Sequence, residues 1–259
     1  MNTFSAVGFS VFDEDSYDRL ARQAGEMGNR YTIYRRGAKL HGCCLKLGGG
    51  LEVWAVIYDS ERGLFYADCR PAFRPEHLLY LSPWEVTEYD EDGEAMVRGC
   101  IDGTSNELIF ELQNLTELDV SIFRRPQLCV ALAGLSYSAT ISSRQLSGRL
   151  ISTGQVNKRR HSCENDYSVR GKIIARKNIV NPITNSHLVW SYIDTGTVRL
   201  ETLVNSRNLR GEAKVGAVMS AKVWLQGYIL DDEAMAAKYE GKDISFQISE
   251  FWSGQIKEN

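Results

Sequence analysis

Four histidines in 259 residues, His41, His77, His161 and His187, are few for a metal centre or an acid–base enzyme. His41 stands beside Gly42-Cys43-Cys44, residue types that bind zinc through imidazole nitrogen and thiolate sulfur. Neighbouring residues on a strand point to opposite faces, so these two cysteines do not readily share one ion, and the group is read as structural. His161-Ser162-Cys163 has the types for a metal ligand pair or a thiolate, and is read as a solvated loop. Asp90-Glu91-Asp92-Gly93-Glu94 offers carboxylates on a tight turn, as a calcium loop does. Its twelfth position holds Ile101 where an acidic ligand is required, so it reads as a charged hairpin tip. Gly48-Gly49-Gly50 lacks the Lys-Ser/Thr ending and following helix of a phosphate loop. GxGxxG, Walker A, GxSxG and HExxH patterns are all missing from the sequence. No catalytic residue, metal ligand or cofactor is therefore assigned.

One constellation does have a coherent chemistry. If Val169, Gly171, Ile173 and Ala175 face a core, strict alternation sends Arg170, Lys172 and Arg176 outward. On the next strand Val189 and Ile193 face inward and leave Trp190 and Tyr192 outside. On a third, Val198, Leu200 and Val204 face inward and Arg199 outward, with Glu201 interrupting the positive face. Cations that track phosphates beside rings that stack on bases are what single-stranded nucleic acid needs. Two aromatic residues flanked by arginines equally suit a protein interface, within the chain or between subunits.

The elements that must position these residues are mostly strands. Phe4–Phe12 reads as a first strand, and the chain start lacks the basic region and small-residue cleavage site of a secretory signal. Asp13-Glu14-Asp15-Ser16 supplies capping oxygens for a helix carrying Tyr17, Leu20, Ala21, Ala24 and Met27 at helical spacing, closed by Gly28. Strands follow at Leu51–Tyr58, Leu64–Ala67, Trp84–Tyr89, Ala95–Ile101, Leu108–Leu112, Val120–Phe123 and Leu128–Leu135, the last also readable as a short helix. Residues 144–166 are polar and include Lys158-Arg159-Arg160. Beyond them come strands at Tyr167–Ala175, Leu188–Ile193, Thr197–Val204 and Ala217–Leu230, a short helix from Asp231, and a strand at Ile244–Phe251.

The fold class expected is mainly β with a few short helices (α+β), in two β-rich modules. The N-terminal domain covers 1–143, a basic polar linker 144–166, and the C-terminal domain 167–259. Charge divides in the same place: residues 1–143 hold 13 basic and 21 acidic side chains, and residues 144–259 hold 17 and 12. The six cysteines form no CxxC pair, and a chain of this length does not depend on disulfides, so free thiols in a reducing cytoplasm are expected. No apolar run is long enough to span a membrane.

The element order over 167–251, with Gly171 early in the first strand, the Asn181–Asn185 turn and Val223-Trp224-Leu225-Gln226-Gly227 late, resembles an OB-fold. That resemblance implies a small five-stranded barrel of the kind that binds oligonucleotides. The opening over 1–67 resembles half of a glyoxalase-type βαβββ module, whose metal ligands would fall on His41 and Glu52. The reading that follows is a non-catalytic binding or interaction protein. Its C-terminal module engages a protein partner, a second copy of itself, or single-stranded nucleic acid. The alternative is a small-molecule binder or enzyme built on the N-terminal sheet.

Overall fold

A cap written in the sequence starts the first regular element. The Asp13 carboxylate accepts from the Ser16 backbone N–H at 2.8 Å, and Ser16 Oγ accepts from the Asp13 N–H at 3.3 Å, opening helix α1 (Glu14–Met27). The computed structural model describes residues 3–35, 38–61, 63–89, 93–144, 146–153 and 164–231. Leu20, Ala21 and Ala24 are buried, as their spacing predicts, whereas Met27 at the helix end is exposed. After α1 the chain runs as an antiparallel meander: β1 (Asn29–Arg35), β2 (Ala38–Gly48), β3 (Leu51–Ser60) and β4 (Gly63–Phe73). Gly48, Gly49 and Gly50 all have positive φ, a conformation that glycine alone adopts cheaply, and they turn β2 into β3. α1 lies on one face of this sheet so closely that a Cβ on Gly25 would meet Tyr66 Oη at 2.7 Å.

The expected first strand is not one. Thr3–Val7 forms a 3-10 turn with Phe4, Ala6 and Val7 buried. Its carbonyls are satisfied from the far end of the chain: Ser5 O accepts from Asn205 Nδ2, and Val7 O from Asn181 Nδ2. An apolar run is buried either in a ladder or under a packed turn, and composition does not separate the two.

The remaining strands form one sheet of ten: β5 (Leu78–Tyr89), β6 (Glu94–Ile101), β7 (Glu107–Leu112), β8 (Leu128–Ser142), β9 (Arg149–Ser152), β10 (Asp166–Val180), β11 (His187–Asp194), β12 (Arg199–Asn205), β13 (Leu209–Arg210) and β14 (Val218–Leu230). Val120–Phe123, expected as a strand, lies in a 3-10 turn, Val120–Arg124, capped by Asp119. Hydrogen-bonded neighbours run β11-β12-β8-β5-β6-β7-β14-β10-β9, and two further pairings, β10 with β11 and β8 with β14, close the path on itself. The mainly β class with a few short helices therefore holds. Inside lies one apolar core that includes Val97, Phe110, Leu132, Val169, Ile193, Met219 and Val223.

Segment 144–166 does not coincide with a break in this sheet. β8 before it pairs in parallel with β12 after it, and β14 pairs in parallel with β7. Residues 1–229 make one compact unit, and nearly all of 230–259, including the helix expected from Asp231 and the strand expected at Ile244–Phe251, lies outside the described residues. Among the described residues it is β8 that stands between β12 and β14. No helix among them is long and apolar enough to cross a membrane.

Candidate binding surface

Residues paired across antiparallel strands share a face, so the registers decide which of the predicted residues meet. Lys172 pairs with Asp194, Tyr192 with Glu201, and Asp194 with Arg199. Arg170, Lys172, Trp190, Tyr192 and Arg199 thus share the outer face, as strict alternation predicts. Arg176 does not. Ile173 pairs with Ile193 but Ala175 with Tyr192, so β10 carries one extra residue there and everything beyond it changes face. Arg176 pairs with Ser191 on the opposite face, its guanidinium donating to Asn178 Oδ1 at 3.2 Å, and Lys177 takes the place beside Trp190.

Trp190 is on the expected face but is not available to a partner. It is fully buried beneath the chain's own 74–77 segment, which links β4 to β5. The His77 ring stacks on Tyr192 with centroids 3.8 Å apart, and Lys177 Nζ sits 4.7 Å from the Trp190 ring centroid. Glu201, read from sequence as a flaw in a basic face, holds this arrangement together. It is 1% exposed, and Oε1 accepts from the Glu76 and His77 backbone N–H groups at 2.7 and 2.8 Å and sits 2.7 Å from His77 Nδ1. Oε2 accepts from Trp190 Nε1 at 2.6 Å. A buried carboxylate with this many donors needs no further partner. Tyr192 is half-buried, and desolvation pushes its phenol up to about 12. No signal in the local sequence points to this lid, because its residues lie more than 100 positions from the strands they cover.

What stays open is the cationic end of the face. Arg149 on β9 pairs with Arg170, and Arg170 also pairs with Ser220 on β14; Ser168 pairs with Lys222. Arg149, Arg170, Lys172 and Lys222 therefore occupy one surface across three strands. Arg149, Lys172 and Lys222 are exposed and, among the described residues, none is in a salt bridge, while Arg170 Nε donates to Ser220 Oγ at 3.3 Å. The carboxylates on the same face are engaged at its ends. Asp166 Oδ1 accepts from Tyr137 Oη at 3.0 Å, and Asp194 pairs with Arg199 at 3.2 Å. Arg149 and Lys222 were not singled out in the sequence, although the alternation of Ser220 and Lys222 with Met219, Ala221 and Val223 carries the signal for the second.

The other candidate groups are structural. His41 Nδ1 lies 2.8 Å from Thr32 Oγ1, whereas Glu52 is buried and bound to Arg74 Nε at 2.7 Å, Tyr228 Oη at 2.7 Å and Trp54 Nε1 at 3.0 Å. The two do not converge on a metal site. Among the described residues no group of three or more His, Cys, Asp or Glu is arranged to hold a metal ion. Cys43, Cys44, Cys69, Cys100 and Cys129 are free thiols. Burial pushes Cys44 strongly up and Cys69 up to about 12, so neither is a thiolate nucleophile near neutrality. His161-Ser162-Cys163 and Asp90–Asp92 lie outside the described residues.

Residues 160–227 match a family described as "Domain of unknown function, E. rectale Gene description (DUF3881)". That stretch takes in β10, β11, β12 and most of β14, and so Arg170, Lys172 and Lys222, but not β9. No curated protein and no solved structure matches the chain.

Proposed function

We propose that this chain is a non-catalytic binding protein whose outer face on β9, β10 and β14 holds an anionic macromolecule. The observation that supports it is the register that sets Arg149, Arg170, Lys172 and Lys222 on one surface with its carboxylates engaged elsewhere. The chain as a whole is acidic, with net charge −3, so attraction of a polyanion to this patch is local and acts within a Debye length of about 8–10 Å. Because Trp190 is buried and Tyr192 is stacked on His77, binding rests on phosphates or carboxylates rather than on base stacking. The five cysteines among the described residues are free thiols, which supports a reducing compartment. Single-stranded DNA and RNA are the polyanions to test first, by fluorescence anisotropy at two salt concentrations. Salt-steep binding weakened by Arg170→Ala with Lys172→Ala is expected. Absence of binding at low salt refutes the proposal for nucleic acid.

A further inference from the structure

β4 ends the four-stranded sheet, and its outer edge is blunted over one half only. In the half toward Phe73, Cys69 turns its N–H away from β3 and donates it to Tyr17 Oη at 2.7 Å. Pro71 has no N–H to offer, and its carbonyl accepts from Gln226 Nε2 at 2.7 Å. The half toward the hairpin is open. Val56 pairs with Asp68 but Ile57 with Tyr66, so Ala67 is an extra residue. Alternation along β4 then turns the N–H and C=O of Leu64 and Tyr66 outward, like those of Cys69. Among the described residues no hydrogen bond reaches them. Leu64, Phe65 and Tyr66 are 67%, 49% and 43% exposed, three consecutive apolar side chains on an unpaired edge. An edge with no partner is normally protected against this combination. Helix α1 walls the open half on one side, with Tyr66 packed under Gly25. A groove of about 260 Å³ remains between Tyr17, Asp18, Ala21 and Arg22 of α1 and Tyr66 and Ala67 of β4. Two alanines between two tyrosine rings leave room there for one large side chain. Carboxylates predominate around it: Asp15, Asp18 and Glu26 of α1, together with Asp68, stand against Arg19 and Arg22.

We propose that the open edge of β4 at Leu64–Tyr66 takes up an extended, cationic peptide segment of another protein as a fifth strand, with a lysine or arginine side chain of that segment in the groove against α1. Backbone bonds to Leu64 and Tyr66 supply the pairing, and alternation sends every second side chain of the added strand onto the α1 face. There the aliphatic stem covers the Tyr17 and Tyr66 rings while the charge meets Asp18. Charge selects this occupant over a second copy of the chain: residues 1–143 hold 21 acidic and 13 basic side chains, so two such faces repel. The test uses the intact protein and a labelled, end-capped peptide of alternating threonine and valine with one central arginine, beside the same peptide with a central glutamate. In anisotropy at low salt the arginine peptide should bind about tenfold more tightly or better. Hydrogen exchange should gain protection at Leu64–Tyr66 and not in β1, the other edge of the sheet. Leu64→Pro removes an outward N–H without touching the ladder to β3 and should abolish binding. Asp18→Lys, an exposed change on α1, should weaken the arginine peptide by about tenfold, and it carries the test if the proline variant fails to fold. No binding of the arginine peptide, equal binding of the two peptides, or unchanged binding by either folded variant overturns the proposal. So does a dimer in sedimentation that Leu64→Pro disrupts, which assigns the edge to a second copy.

Discussion

Glu201→Gln is the substitution whose cost can be worked from the structure most directly. The carboxylate spends Oε1 on two backbone N–H groups and the His77 imidazole, and Oε2 on the Trp190 indole, all at 2.6–2.8 Å. An amide of the same shape can keep one oxygen, so its NH2 is set against a donor wherever it is placed. Either the indole N–H or the backbone pair of Glu76 and His77 is left without an acceptor in a site 1% exposed. A buried donor without a partner costs about 1–3 kcal/mol, and a hydrogen bond to a charged group contributes about 1.5–3 kcal/mol. The variant should therefore lose about 3 kcal/mol, which for a chain of this size is about 6–12 °C in Tm. Urea denaturation followed by tryptophan emission measures it, with an unchanged slope and a lowered midpoint expected. Acrylamide should also quench native emission more strongly once the 74–77 segment lifts from Trp190. A loss under about 0.5 kcal/mol, the size of an ordinary surface substitution, would refute the argument that Glu201 fastens this lid.

Three further outcomes follow from other parts of the molecule. Gly227→Ala places a Cβ 2.3 Å from Phe110 Cδ2 and should destabilise by about 1–3 kcal/mol in a thermal melt, where a neutral result would mean the core has slack. Native protein treated with a thiol reagent at pH 8 should show Cys44 and Cys69 unmodified by peptide mapping while Cys100 and Cys129, half-exposed, are modified. Because Glu111 is held neutral in the fold, with its carboxyl raised from 4.5 to about 8, the folded state binds a proton that the unfolded state has lost between those values. Stability should fall by up to about 1.4 kcal/mol per pH unit across that window on this account alone, and Glu111→Gln should flatten the slope in urea titrations at pH 5, 6.5 and 8.

The helix and the strand-rich class were legible because their signals are local: a capping carboxylate, helical spacing of Leu20, Ala21 and Ala24, and turns between alternating stretches. The candidate face was half legible. Arg170, Lys172 and Arg199 lie where alternation puts them, but the extra residue between Ile173 and Ala175 turns Arg176 away, and nothing in that apolar stretch announces it. Trp190 and Tyr192 were placed on the correct face and on the wrong side of the chain's own surface. Their cover comes from residues 74–77, and long-range packing of that kind leaves no mark near the strands. The same holds for Thr3–Val7, buried against residues about 175–200 positions away. Leu128–Leu135 was read as a strand that could also be a short helix; the pairing of β8 with β12 and β14 settles it as a strand and ties the two halves of the chain into one sheet.

The central claim is that four cations on β9, β10 and β14 bind a polyanion. Anisotropy of a labelled single strand, titrated at 50 and 200 mM salt, addresses it most directly. With four contacts, log K should fall with log salt at a slope of about −2.8, or about 50-fold between those concentrations. The variant lacking the charges of Arg170 and Lys172 should show half that slope, and Trp190→Phe, if folded, the wild-type slope. A flat salt dependence, or a variant whose affinity and slope both equal the wild type's, would contradict the account.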